Sequence, residues 1–394
     1  MTMRRVVVVA AVRSAIGKFG GSLKDVATVD LGAAVVAAAI ARAGIGADRV
    51  EHVFLGNVIH TDIRDMYLSR AVARQAGCPV ETPALTLNRV CGSGLQAIIS
   101  ATQAILLGDV DVAVAGGVES MSRAPYWLPA LRWGQRMQNG TTLDPMMGAL
   151  IDPFDGCQMG VTAERVAQRY GISRDMQDTL ALNSQLRAAH AQSAGYFDNQ
   201  IVPIAVPVKG GTQEYAVDEG VRAESSMAAL ARLRPVFAEN GTVTAGNSST
   251  INDGAAALVL MEAGMAERLG VPVLASMEGY SHAGVDPAYM GIGPIPALQK
   301  LWQRTGVSRD AIDIYEINEA FAAQAAAVTQ ELGLDSAKVN PNGSGISLGH
   351  PLGASGAIVA VKAIHELHRT QTTYAATSLC IGGGQGIAAL FRRG

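Results

Sequence analysis

Residues 48–58, DRVEHVFLGNV, and residues 310–320, DAIDIYEINEA, share an apolar pattern, and each run reaches an asparagine, Asn57 and Asn318. Thirty-four positions after Asn57 comes Cys91, and 32 positions after Asn318 comes His350 (91 − 57 and 350 − 318). Each stands at a glycine-rich turn that opens a small-residue helix, CGSGLQAIISATQAI in one case and GSGISLGHPLGASGAIVAVKAI in the other. A third pair follows, with DVDVAVAGGVES (109–120) matched by YAATSLCIGGGQG (374–386). Such a repeat predicts two related α/β halves, each sending a turn and a helix N-terminus toward a shared centre. Buried strands at 6–12, 50–58, 84–90 and 109–120 alternate with helices at 30–43 and 95–107, which argues for a parallel sheet covered on both faces.

At 394 residues the chain has room for two to three domains. Apolar residues make up 49% and charged ones 16%, the balance of a compact globular chain with large buried surfaces. A net charge of −3 provides no basic field for nucleic acid or an anionic membrane, so neither is expected as a partner. Cys78, Cys91, Cys157 and Cys380 are far apart and form no CxxC pair, which argues against a zinc site or a disulfide scaffold. Arg4 and Arg5 before the run Val6–Val12 imitate a signal peptide only faintly, because Arg13 follows at once and no small-residue cleavage site appears. No stretch offers roughly 18 uninterrupted apolar residues. A soluble protein with reduced thiols in the cytoplasm is the expectation.

Between the halves, residues 121–247 carry scattered helices but no comparable run of strands, as an insertion from the first half would. Trp127 and Trp133 in APYWLPALRWGQRM fit a core-packed loop or an oligomer contact equally.

Cys91 lies at or beside a helix N-terminus, where free amides and the helix dipole stabilise a thiolate, and its flanking glycines free backbone amides for an oxyanion. The bland alternative is a buried structural cysteine. GSGLQA also fits the Gly/Ala form of a dinucleotide fingerprint, with Asp109 and Asp111 near the position of a ribose-binding acid. It is not in the first βα unit, and a dehydrogenase needs no cysteine there. Cys380, in LCIGGGQG, also ends a strand at a glycine turn. At a helix N-terminus His350 would stay neutral and able to accept a proton, or would be a satisfied core histidine. Asn318 would close its strand or cap the next helix. His365 and His368, in HELHR, fit an exposed helix face better than a metal site, and no metal is expected. One acylable thiol, a second thiol for acid–base work on carbon, a neutral imidazole and glycine-rich oxyanion sites equip a chain to make or cleave a carbon–carbon bond beside a thioester.

With these residues stand NRVCGSGLQAI, GGVESMSRAPY, TVTAGNSSTINDGAAA, MGIGPIPA, EINEAFAAQ, NPNGSGISLGHPLGASGA and CIGGGQG, in that order. Along essentially its whole length the chain resembles the thiolase family, and most of all its bacterial short-chain β-ketothiolases. The resemblance implies an α/β thiolase fold: two similar halves in a five-layered αβαβα arrangement, residues 1–120 plus 249–271 and 272–394, with a loop domain at 121–248 that covers coenzyme A and serves oligomerisation. It implies that Cys91 is acylated, His350 activates it, and Cys380 removes the α-proton of the second acetyl-CoA. Asn318, through a water, and His350 would form one oxyanion hole; the amides of Cys91 and Gly382 would form the other. Ser249 would meet the pantetheine arm and Arg222 the nucleotide end, while Phe237, Met159, Met290 and Phe321 would line the pantetheine and acyl pocket.

No cofactor or metal is implied; acetyl-CoA, acetoacetyl-CoA and CoA would be the ligands, and a homotetramer the assembly. The chain departs from related short-chain enzymes at Gln158-Met159-Gly160, where they often have His-Met-Gly, and at Gly246-Asn247-Ser248-Ser249-Thr250, where they often have Gly-Asn-Ala-Ser-Gly. Thr250 lacks glycine's backbone freedom and Gln158 cannot titrate.

Overall fold

The computed structural model describes residues 4–394. Nine strands form the path of one sheet: β1 (Val6–Ser14), β2 (His52–Gly56), β3 (Ala84–Leu87), β4 (Val112–Ser120), β5 (Asn252–Glu262), β6 (Ala275–Gly284), β7 (Ile314–Ile317), β8 (Tyr374–Ile381) and β9 (Gln385–Arg393). Their order is β7-β8-β9-β6-β1-β5-β4-β2-β3. The duplication is visible in this order. β2-β4-β5-β1 and β7-β8-β9-β6 are the same four-strand unit, each with one parallel pairing followed by two antiparallel ones. The two units join where β1 meets β6, through Val7 opposite Ser276 and Val8 opposite Ala275.

The sheet is therefore mixed, not parallel as expected from strand–helix alternation. β8 and β9 are a hairpin, which antiparallel strands permit and parallel ones do not. The sequence suggests otherwise because β1, β4 and β5 are buried along nearly their whole length, giving the continuous apolar runs that usually mark parallel strands.

Helices supply the other layers. We label α1 (Thr28–Arg42), α2 (Ser93–Leu107), α3 (Met159–Tyr170), α4 (Arg174–Ser193), α5 (Pro294–Thr305), α6 (Ala322–Glu331) and α7 (Leu352–Thr370). α2 and α7 pack against each other in the middle, and α7 touches β1, β4 and β5 on one side and β7, β8 and β9 on the other. α1 covers the outer face of the first half, and α5 covers that of the second. Five layers, αβαβα, result. Residues 90–107, which include α2, are long and apolar enough to cross a membrane by composition, but their burial between the two half-sheets accounts for that composition.

Between β4 and β5 the chain leaves the sheet to build α3, α4 and a hairpin, Ile204–Val208 with Gly211–Tyr215. A buried ion pair docks this excursion: Arg13 of β1 holds both Asp218 oxygens at 2.7 and 2.9 Å, and its Nε donates to Gln200 at 2.8 Å. Trp127 and Trp133 are 57% and 86% exposed, so their loop is not core. The histidines of HELHR are not on a solvated face. His365 pairs with the Ala11 carbonyl at 2.9 Å and His368 with the Leu274 carbonyl at 2.7 Å, because this end of α7 lies against the sheet.

Candidate active site

The two glycine-rich turns are built alike. Val90, just before Cys91, has φ of 47°, and Gly349, just before His350, has φ of 118°. Each helix starts two residues beyond its functional residue, at Ser93 and Leu352. A β-branched residue at positive φ costs on the order of 1–3 kcal/mol and is retained only where its surroundings hold it. They do so here, as the Asn88 side chain accepts the Val90 amide at 2.8 Å and Ser93 Oγ donates to the Val90 carbonyl at 2.7 Å. At position 349 only glycine fits, since a Cβ there would lie 2.5 Å from Asn252. The first turns of α2 and α7 touch; a Cβ on Gly356 would lie 2.3 Å from the Leu95 amide. The two halves thus bring Cys91 and His350 to one centre.

Cys91 is partly buried against Ile59, Met121 and Leu352, the last being two residues beyond His350. The amides of Gly382 and of Cys91 itself favour its thiolate. Burial pushes its thiol up to about 11, outweighing those two amides. Cys380 is buried, and both burial and the nearby Cys91 raise its thiol. The Gly382 turn therefore places both sulfurs and two amides together.

His350 is fixed by partners the sequence did not reveal. Its Nδ1 lies 2.6 Å from Ser355 Oγ, and that hydroxyl donates its single proton to the Pro351 carbonyl at 2.8 Å. Ser355 must then accept, so Nδ1 carries the proton and Nε2 keeps a free lone pair. Asn318 Nδ2 stands 3.4 Å from both ring nitrogens, facing the ring rather than pairing with one of them. It does not cap α6, which follows Phe321. Burial lowers His350 to about 4, so the resting pair is a neutral thiol and a neutral imidazole. Replacing Ser355 by alanine frees the tautomer, and kcat is expected to fall about tenfold with KM little changed; steady-state thiolysis rates check this.

Asn252 is a second unforeseen partner. Its Oδ1 accepts the His350 amide at 2.9 Å and the Thr250 hydroxyl at 2.8 Å, and its Nδ2 donates to the Gly17 carbonyl at 3.0 Å. The unusual Thr250 thus connects to the histidine turn. The available signal was NDGAAA, polar residues that begin a buried strand.

Of the residues expected to bind ligand, Met159, Met290 and Phe321 form one apolar cluster with Ala320 and Cys380. Phe237 sets its edge on Phe321, with ring centroids 6.2 Å apart. Ser249 borders the same loop, its amide donating to the Ala320 carbonyl at 2.9 Å. Arg222 is not brought to this cluster by any contact; it is exposed, its amide donates to Gln185 at 2.7 Å and its carbonyl accepts from the Ser225 amide at 3.1 Å. Gln158 precedes α3 without capping it. No group of three potential metal ligands occurs among the described residues. Paired thiols, an imidazole with a free Nε2 and convergent amides are suited to acyl transfer.

Comparison with known proteins agrees with this fold. The family model described as "Thiolase, N-terminal domain" matches residues 6–264, and "Thiolase, C-terminal domain" matches 271–393. The chain belongs to the thiolase family. Among its relatives, the beta-ketothiolase BktB of Cupriavidus necator is 59% identical over 391 residues, 99% of each chain. The acetyl-CoA acetyltransferase of the same organism is 46% identical over 393 residues, 99% of this chain and all of that one. Human mitochondrial 3-ketoacyl-CoA thiolase, solved in complex with CoA, superposes with a TM-score of 0.96 at 41% identity, covering 100% of this chain and 98% of the other.

Proposed function

We propose that the chain is a β-ketothiolase that condenses two acetyl-CoA to acetoacetyl-CoA and CoA and runs the reverse thiolysis on short 3-ketoacyl-CoA. The observation that carries the catalytic assignment is the Cys91 sulfur near Cys380 and the Gly382 amide, with His350 held in the tautomer that leaves Nε2 free.

In the first half-reaction Cys91 gives its proton to His350 and attacks the thioester carbonyl. The amides of Cys91 and Gly382 meet the oxyanion, and CoA leaves as the thiol with the proton from His350. In the second, Cys380 passes its proton to His350 Nε2 and, as thiolate, takes the α-proton of the next acetyl-CoA, while the enolate oxygen accepts from the Nε2–H so formed and from the water on Asn318. The α-carbon bonds to the acetyl carbonyl as the bond to the Cys91 sulfur breaks. The α-proton restores the Cys380 thiol, and the departing Cys91 thiolate takes the Nε2 proton from His350, so both thiols and the neutral imidazole are regained. Burial of both thiols makes each thiolate strongly basic, which the α-proton step needs.

Met159, Met290, Phe321 and Phe237 would line the acyl and pantetheine path, Ser249 would meet the pantetheine, and Arg222, whose guanidinium pairs with no carboxylate, would meet the nucleotide phosphates. The exposed Trp127 and Trp133 favour an oligomer contact, and we assign a cytoplasmic homotetramer; a monomer in light scattering would overturn that assignment. The thiolase reading itself is tested by intact mass after mixing with acetyl-CoA or acetoacetyl-CoA. One acetyl group per chain supports it, and no adduct from either donor overturns it.

The neutral resting pair carries a pH expectation. A thiol at about 11 gains thiolate roughly tenfold per pH unit below that value. Alkylation of Cys91 by iodoacetamide is therefore expected to climb from pH 7 past pH 9 without a plateau, followed by peptide mapping. A plateau near neutrality would show a preformed ion pair instead.

A further inference from the structure

Applied strand by strand, the duplication gives Cys380 a counterpart. Gly56 of β2 pairs with Gly117 of β4, and Ile317 of β7 pairs with Ser378 of β8. One step beyond on the first strand stand Asn57 and Asn318; two steps beyond on the second stand Glu119 and Cys380. Cys91 and His350 are counterparts in the same way. The two halves thus present Asn318 and Cys380 on one side of the centre and Asn57 and Glu119 on the other. The mechanism above uses the first two and leaves Glu119 unused, although it is buried at the same depth.

Among the described residues no cation pairs with Glu119. Four N–H groups occupy both its oxygens instead: Asn57 Nδ2 and the Ile59 amide at 3.1 Å each on Oε1, the Val58 amide at 3.0 Å and the Gly353 amide at 2.7 Å on Oε2. The first three belong to the turn after β2 in the first half. The fourth is in the first turn of α7, three residues beyond His350, in the second half. Burial pushes the Glu119 carboxyl up to about 8, and Asp65 on the 63–67 turn repels it further. The donors hold this rise in check, and the carboxylate prevails above about pH 8. The negative charge also offsets the positive end of α7, where an imidazolium would otherwise be disfavoured. It acts on Cys91 too, raising its thiol. The other titratable groups at this centre are Cys380 and His350.

The geometry points to Glu119 as a positioning residue for acyl transfer: its carboxylate ties the Asn57–Ile59 turn of one half to the His350-bearing helix of the other, and its charge adds to the burial that already disfavours a thiolate at Cys91. The role rests on Cys91 as the nucleophile. Glu119 is fully buried and its oxygens accept from N–H groups of the two halves, so its effect is read through its neighbours. Losing the charge frees thiolate at Cys91 yet slows turnover, because the helix that aims His350 loses its tether.

The test compares wild type, Glu119→Gln and Glu119→Asp by thiolysis kinetics, thermal melting, and Cys91 alkylation by iodoacetamide with peptide mapping. Glutamine keeps the shape and removes the charge; aspartate keeps the charge and shortens the reach to Gly353. For Glu119→Gln, kcat is expected to fall about tenfold or more with KM within about threefold, and alkylation at pH 9 to quicken roughly threefold or more. Glu119→Asp is expected to lose kcat while alkylating at close to the wild-type rate. Unchanged alkylation in Glu119→Gln overturns the proposal, and so does a wild-type kcat in Glu119→Asp; a lowered melting temperature with both readouts unmoved would make Glu119 purely structural. If Glu119→Gln does not fold, the aspartate variant still decides the tether. Failure of the wild type to turn over acetoacetyl-CoA would sink the thiolase reading and leave the alkylation arm standing.

Discussion

Cys91→Ala will take up no acetyl group from acetyl-CoA, whereas Cys380→Ala will take up one and stop. The first variant lacks the sulfur whose thiolate the Gly382 amide and its own amide favour. Without it no acyl-enzyme forms, and turnover is expected to fall by about 10⁴-fold or more, the scale seen when a nucleophile acting as one unit with its base is removed. The second variant retains Cys91, His350 and both amides, so its first half-reaction should survive. It lacks the sulfur that takes the α-proton, so acetylated enzyme should accumulate and condensation should cease. Intact mass and a condensation assay together read both steps. An acetyl group on Cys91→Ala would move the nucleophile elsewhere, and condensation by Cys380→Ala at near wild-type rate would remove Cys380 from the mechanism.

The repeat was legible because duplicated halves must reuse one set of polar positions at strand ends. Asn57 and Asn318, Cys91 and His350, recur at matched spacings, and the sheet order β2-β4-β5-β1 and β7-β8-β9-β6 reproduces that match in space. Strand direction was not legible. A strand buried on both faces has the same apolar run whichever way its neighbour runs, and α1 on the outside with α2 and α7 in the middle buries both faces of β4 and β5.

The side chains that could react stood out in the sequence, and those that aim them did not. Ser355 is one small residue in a small-residue helix, and nothing in GHPLGASGA says that its hydroxyl spends its proton on Pro351 and so fixes the imidazole. Asn252 and Glu119 act through backbone amides of distant turns, contacts that appear only once the halves are folded together. Arg222 shows the converse: the resemblance singles it out, but no side-chain contact in the structure defines a role for it.

Arg13 is the residue whose setting the sequence concealed most. It ends an apolar run and reads as the edge of a strand, yet its side chain is fully buried. Asp218, from the excursion between β4 and β5, accepts from both its terminal nitrogens and from the Ile16 amide at 2.8 Å, and Phe197 lies under the guanidinium with its ring centroid 5.0 Å away. Asp218→Ala leaves that charge buried without a counter-ion and is expected to cost about 3–5 kcal/mol in urea unfolding. Asp218→Leu with Arg13→Met should restore much of this, because a buried pair replaced by apolar groups of similar volume escapes the desolvation cost of both ions. The double variant also separates stability from register. β1 is the strand through which the two half-sheets meet, and Asp218 precedes the segment carrying Arg222 and Ser249. If the pair only stabilises, the double variant should turn over like wild type. If it sets where the excursion lies over the active site, KM for the CoA thioester should rise even with stability recovered.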